Sequence, residues 1–300
     1  MKAPEWNDLR YFLELARSGK ISLTGVKLGV QHSTVSRRID KLEANLKTVL
    51  FDRQRNGYLL TDAGRALVPH AEKIEAAVLS AMEESSGYTD SVVGTVRVGT
   101  PEAFGIKFLS PSLASLYAQH PNLHVELIAQ PQFPSLSSRE VELLVTMERP
   151  TVGRYIVSKL GTVNYFLFGS PSYLASHPTI RSIEDLGAHS FIDYVHDGHV
   201  SMQYQFLSEL VQPSPRRVFS STSVLAQRTA AASGLGLVLL ARFVAGEEDD
   251  LVSIFPGEPL ITRTLWIAAP EDLFRIGRIR NVWNHIRSVV AAHPNFFGQT

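Results

Sequence analysis

Hydrophobic positions recur at helical spacing from the start of the chain. A first helix is predicted over residues 7–18, and Gly19 is expected to end it. Its buried face comprises Leu9, Phe12, Leu13 and Ala16. We interpret these residues as core packing.

Two further helices are predicted on either side of a glycine. Ser22 can cap a short helix over 23–28, and Gly29 permits the left-handed backbone that ends it. A longer helix should then run from Gln31 to about Asn45, with a buried stripe formed by Val35, Ile39, Leu42 and Leu46. Its opposite face is polar and cationic, and carries His32, Ser33, Thr34, Ser36, Arg37, Arg38 and Lys41. This arrangement is what a helix-turn-helix requires.

A predicted hairpin follows these helices. Short extended runs at 49–53 and 58–60 flank a loop that ends in Asn56-Gly57, a dipeptide typical of tight hairpin turns. Arg53 and Arg55 lie near its predicted tip. The hairpin therefore resembles a wing that touches the DNA phosphate backbone.

A long helix is predicted from Asp62 to about Ser86, with Thr61 as its cap. Its apolar stripe has coiled-coil spacing and comprises Ala63, Leu67, His70, Ile74, Ala77 and Ala81. Because the stripe is narrow and weakly apolar, we expect this helix to pair with a second copy of itself and make a dimer. The alternative is that it packs on its own chain.

Strands and helices alternate beyond a polar linker at 85–91. The predicted strands cover 95–99, 123–128, 141–145, 165–170, 191–194, 237–240 and 265–269. The predicted helices cover 104–120, 135–139, 173–175, 223–233 and 277–292. This order is typical of mostly parallel sheets covered on both faces.

Charge and composition narrow the function classes. The chain has equal numbers of acidic and basic residues, but residues 1–62 hold eleven Lys or Arg against seven Asp or Glu, a net charge of +4. A basic N-terminal part on an acidic remainder fits a DNA-binding module attached to another domain. The absence of cysteine excludes a disulfide framework and a thiol sensor. With no long apolar run and no apolar leader, we expect a cytoplasmic protein without a membrane partner.

The predicted second helix of the helix-turn-helix carries the candidate DNA-reading residues. Early positions should face base edges, which makes Gln31, His32, Ser33, Thr34 and Arg37 candidates, with Ser36 on the same polar face. Arg38, Arg53 and Arg55 are expected to contact phosphates. A solvated charged face is the alternative for Arg37 and Arg38.

At this point the sequence resembles a known family, the LysR-type transcriptional regulators. The resemblance is carried by residues 9–12, 22–24, Leu28, 35–37, Ile39, 42–43, Leu46, 50–53, 60–61 and 63–64, which lie in about sixty consecutive residues without a gap. Weaker similarity continues at 94–99, 120–123, 230–233 and 234–237. Several positions depart from the family pattern: Gln31 stands where Ser usually caps the helix, His32 where Gln is common, Lys47 where Gly is common, and Gly25 where Ala is frequent.

The resemblance implies a multi-domain protein with α and α/β parts. It places a winged helix-turn-helix at 1–62, a linker and dimerisation helix with a hinge at 63–91, and an effector-binding domain at 92–300. That domain would hold two α/β subdomains like those of a type II periplasmic solute-binding protein. Subdomain one would comprise 92–161 and 268–300, and subdomain two 162–267, with the ligand in the cleft between them.

Candidate effector-binding residues lie at predicted strand ends. Thr100, Pro101, Glu102 and Ala103 precede a helix, where free N–H groups attract anions, although an inward-pointing Glu102 would disfavour an anion. The other candidates are Gln130, Gln132, Phe133, Tyr194, His196 and Ser223. Relatives often bind small carboxylates or aromatic acids, so a carboxylate effector is expected.

Other chemistry has weak support in the sequence. His196, Asp197 and His199 have loose spacing, so we interpret them as surface residues and expect no metal site. Residues 247–250 are expected to form a solvated acidic turn. No phosphate loop, nucleophile elbow or zinc-protease motif is present, so we expect no cofactor and no enzyme activity.

We therefore predict a DNA-binding transcriptional regulator controlled by a small effector. It should act as a homodimer or homotetramer on a near-palindromic double-stranded operator. A solute receptor with a non-functional DNA-binding part, and an enzyme on the same two-subdomain fold, are the alternatives.

Overall fold

A computed structural model describes residues 5–85, 92–130, 136–137, 139–195, 207–210, 216–246, 249–257 and 259–298. The chain divides into two compact units. The first comprises residues 1–91 with the short segments 137–140 and 271–277, and the second comprises the remainder.

Three helices and a hairpin form the N-terminal part of the first unit. The helices are α1 (Trp6–Ser18), α2 (Ile21–Leu28) and α3 (His32–Leu46), and the hairpin strands are β1 (Phe51–Gln54) and β2 (Gly57–Leu60). Their apolar faces share one core, in which Phe12, Leu15, Val35 and Leu42 are fully buried. The predicted stripes of α1 and α3 are therefore confirmed.

The start of α2 differs from its prediction. The helix begins at Ile21 with Lys20 at the capping position, so Ser22 lies inside it and is not its cap. Gly29 ends α2 with φ of 67°, as predicted. At Gly25, a Cβ atom would lie 2.8 Å from the Val30 carbonyl oxygen, so the absent side chain lets α2 and α3 approach closely.

The hairpin has its tip one residue earlier than predicted. Gln54 pairs with Gly57, which leaves Arg55 and Asn56 as the turn. Gly57 has φ of 143°, and a Cβ atom there would lie 2.4 Å from the Gly19 carbonyl oxygen. The Tyr58 N–H also donates to that carbonyl at 2.8 Å. Glycine at 57 therefore lets the hairpin lie against the end of α1.

Helix α4 (Asp62–Ser85) is continuous, and Thr61 caps it as predicted. The Thr61 hydroxyl accepts a hydrogen bond from the Gly64 N–H at 3.0 Å. Pro69 lies inside the helix, where it cannot donate to the Arg65 carbonyl. The guanidinium of Arg17 on α1 donates to both carboxylate oxygens of Glu75, at 2.6 and 3.0 Å, and so ties α4 to α1.

The short segments 137–140 and 271–277 contribute an ion-pair cluster to the first unit. Arg139, with φ of 55°, donates to Asp272 at 2.6 Å and to Glu72 of α4 at 3.2 Å. The predicted helix over 135–139 is not found: Ser135 and Ser138 lie outside the described residues, and the others form a turn. A left-handed residue such as Arg139 is incompatible with a helix.

The second unit is built on one mixed ten-stranded sheet. Its strands are β3 (Gly94–Thr100), β4 (Leu123–Ala129), β5 (Leu143–Thr146), β6 (Tyr155–Gly169), β7 (Ser190–Asp193), β8 (Arg216–Ser220), β9 (Leu237–Ala241), β10 (Val252–Ser253), β11 (Ile261–Pro270) and β12 (Phe297–Gly298). The main order is β4-β3-β5-β11-β6-β9-β7-β8, with β10 and β12 on β6.

Two long antiparallel strands connect two parallel regions of this sheet. Strands β4, β3 and β5 are parallel, as are β9, β7 and β8, whereas β6 and β11 run antiparallel between the two groups. The boundaries expected at 161/162 and 267/268 lie inside β6 and β11. The two-subdomain architecture is thus present, and each long strand continues from one parallel region to the other.

Helices complete the second unit. They are α5 (Glu102–Phe104), a π-helical stretch (Gly105–Leu109), α6 (Ser110–Gln119), α7 (Pro171–Ser176), a 3₁₀ turn (Glu184–Ala188), α8 (Leu207–Leu210), α9 (Val224–Ala232), α10 (Arg242–Ala245) and α11 (Gly277–Ala291). No helix in the described ranges is long and apolar enough to span a bilayer.

Candidate functional site

The side chains on the polar face of α3 differ in their exposure to solvent. Gln31, His32, Ser33 and Arg37 are exposed, and Thr34 and Ser36 are half-buried. Gln31 occupies the capping position without a side-chain hydrogen bond to the helix. Val35 and Ile39 are fully buried beneath this face, so they fix its orientation on the core.

Arg37 and Arg38 are neighbours in sequence with different surroundings. Arg38 donates to the buried carboxylate of Asp8 at 2.9 Å, and Lys41 pairs with the same carboxylate at 3.3 Å. Carboxylates of Glu5 and Asp8 raise the pKa of Lys41. In the part of the chain that the structure describes, Arg37 has neither an ion pair nor a hydrogen bond.

The two wing arginines show the same contrast. Arg53 is ion-paired with Asp40 of α3, whose carboxylate raises the pKa of Arg53, and Glu43 lies 3.8 Å away. Arg55 is at the exposed tip and has no partner within the described ranges. Of the four candidate arginines on α3 and the wing, Arg37 and Arg55 are therefore the two without a partner among the described residues.

A cavity in the second unit collects some of the expected effector residues. It is small and partly open, with a volume of about 30 Å³. Pro101, Glu102, Ala103 and Tyr194 line it, as does Val224, the residue after Ser223. Its remaining described walls, which the sequence did not indicate, are Phe104, Met147, Val163, Tyr165, Phe243, Leu265 and Phe297.

The other expected effector residues are placed elsewhere or lie outside the described residues. Thr100 is fully buried, and a Cβ atom at Gly105 would come within 2.5 Å of its hydroxyl oxygen. Gln130 is exposed and does not line the cavity. Gln132, Phe133 and His196 are outside the described residues, as are Asp197 and His199 of the weak metal pattern.

Glu102 has a defined position at the cavity. Its carboxylate accepts the Ser223 hydroxyl at 2.8 Å and the Val224 N–H at 2.7 Å. Ser223 also caps α9, since its hydroxyl accepts the Ala226 N–H at 3.2 Å. A negative charge at the N-terminus of α9 is favourable because the helix dipole is positive there.

Aromatic residues hold the far wall of the cavity. Strand β12 pairs with β6 so that Phe297 lies opposite Val163. The Phe297 ring lies 4.7 Å from the Phe108 ring and 5.8 Å from the Phe104 ring, measured between centroids. Burial raises the pKa of Tyr165, whose hydroxyl donates to the Met147 sulfur at 3.3 Å, so this phenol stays neutral.

The acidic turn expected at 247–250 is only partly described. Glu247 and Glu248 lie outside the described residues. Asp250 pairs with Arg228 of α9 at 2.8 Å, so this residue is not simply solvated. Among the described residues, no cluster of three His, Asp or Glu side chains could hold a metal ion.

Comparison with known proteins gives matches over nearly the whole chain. The family model described as a bacterial regulatory helix-turn-helix protein of the lysR family matches residues 6–65, and the LysR substrate binding domain matches residues 89–291.

Individual relatives are distant. The regulator PtxR of Pseudomonas aeruginosa is 24% identical over 96% of this chain and 94% of its own length. The regulator DmlR of Escherichia coli is 29% identical over 62% of this chain and 60% of its own length. The crystal structure of ArgP from Mycobacterium tuberculosis is similar in fold, with a TM-score of 0.71 and 17% identity over 97% of this chain and 98% of that one.

Proposed function

Because this chain belongs to the LysR family and is a DNA-binding transcriptional regulator with an effector domain, we propose that α3 reads its operator through the major groove. The exposed early positions of α3 support this role. Gln31, His32, Ser33, Thr34, Ser36 and Arg37 are the proposed base-reading set.

The arginines divide into two roles under this proposal. Arg37 is free to contact a guanine edge with two hydrogen bonds, and Arg55 is free to contact a phosphate at the wing tip. Arg38 and Arg53 are held by Asp8 and Asp40. They would position α3 and the wing, and would reach phosphates only through their remaining N–H donors.

The proposed dimer uses the outer face of α4. LysR-type regulators form oligomers. Ala63 and Leu67 of the predicted stripe pack against the core of the first unit, so we propose that this chain pairs through His70, Ile74, Ala77 and Ala81. All four side chains are exposed in the single chain, and Ile74 is 41% exposed. Two α3 helices presented in this way would read a near-palindromic site.

The cavity beside Glu102 is our proposed effector site. LysR-type regulators bind small molecules, and this cavity lies where two parallel sheet regions meet across β6 and β11. We propose domain limits of 1–62, 63–91 and 92–300, with subdomains at 92–161 plus 268–300 and at 162–267.

One observation carries the DNA-binding proposal. Arg37 is an exposed cation without a partner in the described residues, on a helix whose opposite face is fully buried. No hydrogen bond or ion pair to the described residues therefore occupies the guanidinium of Arg37, which leaves it available to DNA.

The test is equilibrium binding to DNA measured by fluorescence anisotropy. A duplex enriched by the wild-type protein from a random-sequence pool is compared with a shuffled duplex of equal composition. Arg37→Ala should weaken binding to the enriched duplex by about 10- to 100-fold, because a bidentate base contact is lost. Binding to the shuffled duplex should change far less. Lys159→Ala, an exposed change on β6, is the matched control.

Either of two results would contradict the proposal. One is a pool from which the wild-type protein enriches no sequence. The other is an Arg37→Ala protein that binds the enriched duplex as tightly as the Lys159→Ala control.

A further inference from the structure

The chain's own carboxylate occupies the polar end of the cavity. Glu102 accepts hydrogen bonds from the Ser223 hydroxyl and the Val224 N–H, at 2.8 and 2.7 Å. These donors lie at the N-terminus of α9, where backbone N–H groups otherwise attract an anionic ligand. Glu102 therefore takes hydrogen bonds that a ligand carboxylate would need.

Apart from Glu102 and the hydroxyls of Tyr165 and Tyr194, the described wall of the cavity is apolar. Phe104, Met147, Val163, Phe243, Leu265 and Phe297 are apolar. Among the described residues that line the cavity, none is Lys, Arg or His. An acid bound here would lose its hydration and face the fixed charge of Glu102, and both effects oppose binding.

We propose that this cavity takes a small molecule without negative charge, mostly apolar and carrying a hydrogen-bond donor, and that Glu102 determines this specificity. The apolar walls bury the body of the molecule. The donor meets a lone pair that Glu102 retains, since a carboxylate accepts about four hydrogen bonds and two are used. This inference rests on the cavity being the effector site, and it replaces the carboxylate expected from the sequence.

The inference can be tested by removing the charge of Glu102. Glu102→Gln keeps the side chain's shape and an acceptor oxygen for one of its two donors, but removes the negative charge. The cavity of this variant should then bind acids. Glu184→Gln is the matched control, because Glu184 is exposed and does not line the cavity.

The experiment measures thermal unfolding and calorimetric binding of the full-length protein with benzyl alcohol, benzylamine and benzoate. At a concentration ten times its dissociation constant, benzyl alcohol should raise the Tm of the wild-type protein by about 3–5 °C. Benzoate at the same concentration should leave the Tm unchanged, whereas benzylamine, whose cation is attracted to Glu102, should raise the Tm at least as much as benzyl alcohol. In Glu102→Gln, the affinity for benzoate should rise by at least tenfold, while Glu184→Gln behaves as wild type.

Several outcomes would overturn the inference. They are a wild-type response to benzoate that equals the response to benzyl alcohol, no response to any probe, or unchanged selectivity in Glu102→Gln. If that variant does not fold, the wild-type series decides alone. DNA binding is measured separately, so a protein that binds its enriched duplex and prefers benzoate contradicts this inference and leaves the regulator function intact.

Discussion

Arg37 and Arg38 show how adjacent cations in one helix acquire separate tasks. Asp8 is fully buried, and Arg38 supplies one of its two charged partners. A buried carboxylate that loses a partner keeps most of its desolvation cost. The conformation of α3 relative to α1 therefore depends on Arg38.

Replacing these two arginines should separate stability from DNA binding. Arg38→Ala should lower the free energy of unfolding by about 1–2 kcal/mol, because Lys41 remains to pair with Asp8. Arg37→Ala should change it by less than about 0.5 kcal/mol, as expected for an exposed residue. Urea denaturation checks both values, and equal losses would contradict the assignment of roles.

Lys47 ends α3 in a left-handed conformation, with φ of 53°. A side chain in this conformation strains the folded state by about 1–2 kcal/mol. Glycine removes that strain, but its freer unfolded chain costs about 0.4–1 kcal/mol of stability. Lys47→Gly should therefore stabilise the protein by roughly 0.5–1 kcal/mol. A higher urea midpoint at unchanged slope is the expected reading, and a lower midpoint would show that Lys47 has a compensating contact.

At the scale of elements, helix α4 is held to α1 by Arg17 and Glu75. Both side chains are mostly buried, with exposures of 10% and 19%. Arg17→Met should cost about 1–3 kcal/mol of local stability, so amide hydrogen exchange along α4 should accelerate by about tenfold or more.

Arg65 on the same helix offers a control for Arg17. It pairs with Asp62, but the two side chains are 63% and 99% exposed. Arg65→Met should leave exchange nearly unchanged, since exposed ion pairs contribute little. Similar acceleration in both variants would mean that the Arg17–Glu75 pair does not dock α4.

Helix α11 carries a histidine that makes stability depend on pH. His285 lies 2.9 Å from the Ser112 hydroxyl, and burial lowers its pKa below the usual value of 6.5. The unfolded chain then binds this proton more readily than the folded one. The contribution of neutral His285 is complete well above pH 6.5 and declines as the pH falls below that value.

His285→Gln removes this titration. The free energy of unfolding, measured by urea denaturation between pH 7.5 and 5 at roughly half-unit steps, should fall less steeply in the variant than in the wild-type protein. Parallel curves would contradict burial of a neutral His285.

Elements with strong local periodicity were predictable from the sequence. The apolar stripe of α3 and the cap at Thr61 are confirmed because each depends on residues within a few positions of one another. Strand β6 was seen only from Tyr165 onward, since its first half is half-buried and lacks a continuous apolar run. The apolar stripe predicted a helix through Pro69 without a break, and α4 is continuous at this residue.

The cavity could be predicted only in part, for a physical reason. Residues 101–103 and Tyr194 could be predicted from the sequence because each follows a strand. In parallel sheets, ligands bind at the carboxyl ends of the strands. Phe243 and Phe297 join the wall through tertiary pairing of β6 with β9 and β12. Such pairing brings distant segments together and leaves no periodic signal in the sequence.

At the scale of the whole molecule, self-association should depend on α4. Ile74→Asp would place two like charges in the proposed interface and raise the dimer dissociation constant by at least about tenfold. Sedimentation equilibrium measures that constant. Val152→Asp is the control, because Val152 is 87% exposed in a loop of the second unit.

One outcome of this experiment would contradict the proposed interface. An Ile74→Asp protein that associates as tightly as the Val152→Asp control would exclude the exposed stripe of α4 as the contact between copies.

Hydroxyl-radical footprinting of the enriched duplex tests most directly that two copies of α3 read DNA together. The predicted pattern is two protected segments on one face of the duplex, with centres about one helical turn apart or a small multiple of it, and with Arg37→Ala removing both together. A single protected segment, or protection that Arg37→Ala leaves in place, would contradict the account.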